Sequence, residues 1–240
     1  MDKVILVDKP KGWTSFDVVA KIRGVLRSAA SQAQQTSDTA VSSKPPKIRV
    51  GHAGTLDPLA TGLLVILVGK ATKRQDAYMK QDKIYEVTAQ LGATSNTGDD
   101  EGEKTQVSDE QPSIDEINKN IRHFIGKIQQ IPPAYSAIKI DGQRAYKLAR
   151  AGKDVKIKPR GVTIYSIKQI EYEYPVLTFT AKVSSGTYIR TLVADIGKSL
   201  KTGAYMSDLR RTQIGDFNVS DAMSIDQMTP ELLSSVIIAE

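Results

Sequence analysis

Residues 49–64, Arg-Val-Gly-His-Ala-Gly-Thr-Leu-Asp-Pro-Leu-Ala-Thr-Gly-Leu-Leu, constrain this chain more than any other stretch. One carboxylate, Asp57, sits among three glycines, a proline and two threonines, just ahead of an apolar run. Neither a helix nor a strand interior is written that way. Gly loses the most backbone freedom on ordering, and Pro removes a hydrogen-bond donor. The segment therefore specifies a fixed, irregular loop. A charged side chain displayed on such a loop is a candidate reactive group. On spacing alone a second reading stands beside it: a structural turn whose Asp caps the segment that follows.

At 240 residues the chain suits one large domain or two small ones. A hydrophobic content of 40% and a charged content of 25% are ordinary for a globular protein that buries its own core. The absence of cysteine excludes disulfides, thiolate zinc sites and cysteine nucleophiles, and fits a reducing compartment. Met1-Asp2-Lys3 leads straight into a strand-like run, Val4 to Val7, and does not read as a signal peptide. The longest apolar run, Leu63 to Val68, is far too short to span a bilayer. The expectation is a cytoplasmic protein without a membrane partner. A net charge of +6 and a pI near 9.3 tilt the partner towards an anion, nucleic acid being the commonest.

Thr14 or Ser15 is placed to cap a helix carrying Val18, Val19, Ile22, Val25 and Leu26 at helical spacing. That helix is expected to fade into residues 28–46, a Ser, Ala, Gln and Thr stretch read as a low-complexity mobile insertion. Residues 84–91 alternate, with Tyr85, Val87, Ala89 and Leu91 on one face of a strand. Ser113-Ile114-Asp115-Glu116 is a capping box opening a helix with Ile117, Ile121, Phe124 and Ile125 on one side and Gly126 as its stop. Leu177, Phe179, Ala181 and Val183 mark another strand. Ile189, Leu192, Val193, Ile196 and Leu200 mark another helix. Strands and helices without a βαβ rhythm favour α+β, with a mixed, mostly antiparallel central sheet flanked by helices and loops.

Two further clusters could carry chemistry. Residues 138–160 hold eight cations, among them Arg144, Lys147, Arg150 and Arg160, against Asp141 and Asp154. Arg144, Lys147 and Arg150 recur every three residues, so a helix presents them on one side above Ala145, Leu148 and Ala149. A solvated helix face would look the same. The interleaved Tyr135 and Tyr146 favour RNA, which is bound by phosphate contacts plus stacking. Gly186-Thr187-Tyr188-Ile189-Arg190-Thr191 puts a phenol and a guanidinium two residues apart where a strand gives way to a helix. With Ile189 and Leu192 in the core, Tyr188 and Arg190 point elsewhere. Taken alone, they read as a packed Tyr and a surface Arg.

Other features read blandly. Metal binding by His52 is not expected, since no second His or Cys accompanies it. Gly69-Lys70-Ala71-Thr72 fails the phosphate-loop pattern, which needs Gly where Leu64 stands. Lys70 is retained only as a basic substrate contact. Asp99, Asp100, Glu101 and Glu103 lack calcium-loop spacing and read as a solvated acidic loop.

The 49–64 stretch closely resembles the nucleophile loop of bacterial tRNA pseudouridine synthases of the TruB family, which reads G-H-x-G-T/A-L-D-P-L-A-T-G. Gly186 to Thr191 resembles that family's second signature, and Lys9-Pro10-Lys11-Gly12-Trp13-Thr14-Ser15 resembles its N-terminal motif, expected to support the nucleophile loop. The resemblance spans nearly the whole chain except 28–46. It implies the pseudouridine synthase fold over 1–240 and a loop and helix at 129–156 that fold over RNA. It implies isomerisation of the T-loop uridine (position 55) in the T-arm stem-loop of tRNA, by a monomer using no cofactor and no metal. Asp57 is then the nucleophile, Tyr188 contacts the target base and is the candidate base, and Arg190 pairs with Asp57. A guanidinium there would hold the carboxylate ionised and aimed. Tyr85 would stack on the flipped base, Leu209 would line the pocket, and His52 would contact RNA near the extruded base. Family members usually carry a further C-terminal RNA-binding (PUA-like) domain. That domain is expected to be absent or truncated here, with weaker or altered tRNA binding but an intact active site. Two other readings remain: a guide-RNA-dependent relative working in a ribonucleoprotein, and an RNA-folding helper whose catalysis is incidental.

Overall fold

The computed structural model describes residues 2–35, 47–136, 138–140, 142–153 and 157–235. In chain order the first elements are β1 (Lys3–Lys9), α1 (Ser15–Gln35), β2 (Val50–His52), β3 (Thr61–Val68) and α2 (Gln75–Met79). Next come β4 (Lys83–Leu91), β5 (Ala93–Ser95), β6 (Lys104–Gln106), α3 (Ile114–Arg122) and β7 (Gly126–Gln130). There follow β8 (Lys139–Ile140), β9 (Gln143–Arg144), α4 (Ala145–Arg150), β10 (Arg160–Glu173), β11 (Val176–Val183) and α5 (Ile189–Ser199). The last are β12 (Ala204–Ile214), β13 (Phe217–Asn218), β14 (Met223–Ser224) and α6 (Pro230–Ser235). The chain forms two compact units. One is built from residues 1–81 and 210–240, the other from residues 82–209. The mix of elements is α+β, as the sequence suggests.

In the first unit β1 lies between β14, parallel, and β3, antiparallel, with Ile5 opposite Ile66. β3 in turn pairs with β2 and, in parallel, with Arg210 and Arg211 of β12. Every residue of β3 after Thr61 is buried. Its run is unbroken because both faces are covered. Leu64, Ile66 and Val68 pack with Ile5, Val7 and the α1 residues Val18, Val19, Ile22 and Leu26. Leu63, Val65 and Leu67 pack with Val4, Leu6 and Ile214. α1 does not fade at Ser28 but continues to Gln35. Residues 28–35 are Ser, Ala and Gln, and Ala and Gln are good helix formers, so an already nucleated helix propagates through them. The rest of the expected insertion, 36–46, lies outside the described residues.

In the second unit the strand order is β12–β4–β11–β10–β7. β11 pairs antiparallel with β4 and with β10, and β10 antiparallel with β7. The expected alternation in β4 is present: Tyr85, Val87, Ala89 and Leu91 are buried. α3 begins at Ser113, where both halves of the capping box are made. It ends at Arg122, before Gly126. The amides of Phe124 and Ile125 bond back three residues, to Ile121 and Arg122, so the chain tightens out of the α-helix. Gly126, at φ +112°, opens β7 instead. α5 buries Ile189, Leu192, Val193 and Ile196, the stripe read from the sequence.

Candidate active site

Asp57 lies in the loop between β2 and β3, partly buried. The residues on either side of it are pinned. Ser15 Oγ accepts the Leu56 N–H at 2.8 Å and donates to the Leu56 carbonyl at 3.0 Å. The Gly12 N–H donates to the Pro58 carbonyl at 2.8 Å. Lys9 is wholly buried, and its Nζ donates to the carbonyls of Pro10 (2.9 Å), Trp13 (2.7 Å) and Pro58 (3.3 Å). The N-terminal motif thus holds the loop, as its resemblance implied. The turn after Asp57 is closed by the main chain, with the Ala60 N–H on the Asp57 carbonyl at 3.1 Å.

Arg211 secures the ends of the loop. Its Nε donates to the Leu63 carbonyl at 2.7 Å and its guanidinium Nη2 to that of Gly54 at 3.0 Å. Its side chain is buried, 1% exposed, and a cation there is tolerated only because its donors are satisfied. Gly62 has to be glycine. Its φ is +98°, and a Cβ would stand 2.3 Å from the Arg211 carbonyl oxygen. The backbone that carries the Asp57 carboxylate is thus fastened on both sides.

Tyr188 and Arg190 stand where β11 gives way to α5. The turn at Ser184-Ser185-Gly186 reverses the chain, with Gly186 at φ +84°. Tyr188 is partly buried immediately before α5. The wholly buried Gln130 side chain matches its peptide: Oε1 accepts the Tyr188 N–H at 3.0 Å and Nε2 donates to its carbonyl at 3.2 Å. The Arg160 guanidinium lies over the Tyr188 ring, 4.7 Å from the centroid, and donates to the Gly186 carbonyl.

Arg190 corrects the reading of a surface arginine, since it is 5% exposed. Its Nη1 pairs with Asp99 Oδ2 at 3.2 Å and donates to the Thr97 carbonyl at 3.1 Å; Nη2 donates to the Tyr135 carbonyl at 2.8 Å. Asp99 corrects the reading of a uniformly solvated acidic loop. Asp100, Glu101 and Glu103 are exposed, but Asp99 is buried, and its Oδ1 accepts from Thr97 Oγ1 at 2.5 Å and the Glu101 N–H at 3.2 Å. A buried guanidinium needs a counter-charge and acceptors, and Asp99 with the carbonyls of Thr97 and Tyr135 supplies them.

The remaining candidates divide between the units. His52, at the end of β2, and Lys70, after β3, belong to the first unit with Asp57. Gln75 Nε2 donates to the His52 carbonyl at 2.9 Å, and the Lys70 N–H donates to Asp2 at 2.7 Å. Tyr85 on β4 and Leu209 on β12 are buried in the second unit with Tyr188 and Arg190. Arg144, Lys147 and Arg150 are exposed there. Only Lys147 and Arg150 lie on α4. Arg144 is its extended N-cap and ends β9, so the three do not share one helical face. Ala145 is buried beneath, Leu148 and Ala149 only partly, and Arg150 lies over the Tyr146 ring at 5.9 Å. Arg160, counted with this basic run, lies over the Tyr188 ring. Among the described residues no cluster of three His, Cys, Asp or Glu side chains could hold a metal ion.

Reading the sequence missed Asp99, Gln130, Arg160 and Arg211 as site residues. Arg211 stands two residues after Leu209, and Gln130 falls at the start of the 129–156 segment, but neither carries a spacing signal.

Residues 41–189 match the family model described as TruB family pseudouridylate synthase (N-terminal domain). Residues 190–235 match the tRNA pseudouridylate synthase B C-terminal domain. The chain is 42% identical over 240 residues to the tRNA pseudouridine synthase B of Phocaeicola vulgatus, covering 99% of this chain and 96% of the relative. It is 39% identical over 239 residues to that of Clostridium novyi, covering 100% and 76%. Among solved structures, a chain of a Cbf5–Nop10–Gar1 complex superposes with a TM-score of 0.66 at 29% identity, covering 93% of this chain and 53% of the other. A chain of an H/ACA RNP bound to a substrate RNA containing 2′-deoxyuridine gives 0.63 at 27% identity, covering 93% and 51%. This chain thus spans about half the length of those two.

Proposed function

This chain belongs to the TruB family of pseudouridylate synthases, and on that premise we propose that it isomerises the T-loop uridine of tRNA, position 55, with Asp57 as nucleophile. The observation that carries this reading is the doubly anchored loop: Leu56 and Pro58 are each held through the main chain by the N-terminal motif. The target base leaves its stack to reach the carboxylate, and a loop base already under strain lowers that cost. Asp57 attacks either the ring or the sugar. The N1–C1′ bond breaks, the base rotates, and a C5–C1′ bond forms. The bond to Asp57 is released, the C5 proton leaves with Tyr188 as its acceptor, and N1 takes up a proton. Product and substrate are isomers, so the stoichiometry calls for no cofactor. Covalent catalysis splits a difficult glycosidic exchange into easier steps.

Arg190, set in place by Asp99, supplies the active-site cation, Tyr85 stacks on the flipped base, Leu209 lines its pocket, and His52 contacts the RNA beside it. Lys70, Arg144, Lys147 and Arg150 supply phosphate contacts. The protein acts as a monomer, in the cytoplasm with its tRNA.

A second reading, modification directed by a guide RNA within a ribonucleoprotein, is supported by the likeness to the H/ACA RNP chain. Greater identity and coverage among the tRNA pseudouridine synthase B relatives favour free tRNA. The test is incubation of the purified protein with an unmodified T-arm stem-loop, followed by carbodiimide modification and primer extension. A stop at the T-loop uridine without any guide is expected. Product appearing only with an added guide RNA would replace this reading by the second.

A further inference from the structure

We propose that Gln130 and Arg160 form a cross-strand clamp that positions Tyr188, an inference that rests on the reading of Tyr188 as the proton acceptor and adds two residues to it. The pair stands directly opposite at the end of the β7–β10 ladder. Each member holds a different part of the tyrosine. Gln130 holds the peptide. Its amide gives the Tyr188 N–H an acceptor and the Tyr188 carbonyl a donor, the exchange a neighbouring strand would supply. It does so where α5 begins with no side-chain cap.

Arg160 holds the ring and the turn together. Its guanidinium carbon is within the range at which a cation is attracted to an aromatic face. The same group donates to the Gly186 carbonyl, two residues ahead of Tyr188. A Cβ at residue 186 would come within 3.4 Å of a guanidinium nitrogen, so the close approach suits glycine. With its peptide paired and one ring face covered, Tyr188 has a defined direction for its hydroxyl. Aim matters for a proton acceptor, because a misplacement of about 1 Å can cost about a hundredfold in rate. An arginine serving only as a phosphate contact would have no reason to sit on the ring and tie down the turn.

Arg160 is only partly buried, so its replacement leaves the core intact. The experiment measures single-turnover rate and RNA affinity on the T-arm stem-loop for Arg160→Met and Arg160→Lys, each also in a Tyr188→Phe background. For Arg160→Met a rate loss of about tenfold is expected, with affinity within about twofold. Arg160→Lys, which keeps the cation, recovers most of that loss. In the Tyr188→Phe background Arg160→Met costs less than about twofold, because the group it aims is gone. Weakened RNA binding at an unchanged rate, equal losses in both backgrounds, or no loss at all would overturn the clamp. A wild-type rate for Tyr188→Phe alone would instead overturn the role given to Tyr188, and the clamp with it.

Discussion

Arg190 and Arg211 are both buried, yet they are satisfied by different chemistry. Arg211 directs its donors at main-chain carbonyls, Gly54 and Leu63, which bracket the Asp57 loop. Arg190 meets a carboxylate, Asp99, as well as the carbonyls of Thr97 and Tyr135. The first arrangement shapes a backbone. The second fixes the position of the cation itself. Carbonyl dipoles suffice to fasten a loop, whereas a guanidinium set by an opposing full charge is held in both place and orientation.

The most damaging way to probe that contrast is Asp99→Asn. It keeps the volume but removes the buried counter-charge, and the expected loss is about 3–5 kcal/mol in urea unfolding. Arg211→Met is expected to cost less, about 1–3 kcal/mol, because it strands neutral carbonyls rather than an ion. Its catalytic loss should still approach about a hundredfold, since the loop carrying Asp57 would shift. If the two stability losses were equal, the distinction between shaping and holding a charge would collapse. The Lys147→Ala/Arg150→Ala pair lies outside both arrangements. It should weaken RNA binding and lower the slope of log affinity against log salt by about 1 per lost contact, without changing the single-turnover rate.

The smallest effect concerns pH. Burial raises the carboxyl pKa of Asp195, on α5, above its ordinary 3.8, with Lys198 opposing. The folded state therefore binds that proton more tightly than the unfolded chain. Stability falls as pH rises through that interval and stays lower above it. Asp195→Asn should raise the melting temperature slightly at neutral pH, and the gain should vanish below the ordinary value. A larger gain in acid than at neutral pH would refute this.

Much of the local structure was legible in the chain. The alternation of β4, the capping box at Ser113 and the stripe of α5 are short-range patterns with a fixed period. The Asp57 loop was legible because Gly and Pro at that density leave it nothing else to be. What stayed hidden was long-range. Asp99 is paired 91 positions away, and Arg211 bonds Gly54 across 157. A buried cation resting on carbonyls has no period, and an aspartate inside an acidic loop looks solvated until its partner is placed. The misjudged end of α1 is the opposite case. Composition suggested disorder, while helix propensity and an existing nucleus carried the helix on to Gln35.

We propose that the anchored loop serves to present the Asp57 carboxylate to the target nucleotide. The direct measurement is single-turnover pseudouridine formation by wild type and Asp57→Asn on one T-arm stem-loop, with RNA affinity measured alongside. The predicted result is affinity within about threefold of wild type and a rate lowered by about 10⁴ or more, as for loss of a covalent nucleophile. Pseudouridine formed by Asp57→Asn at a rate within about tenfold of wild type would contradict it, since an amide cannot serve as that nucleophile.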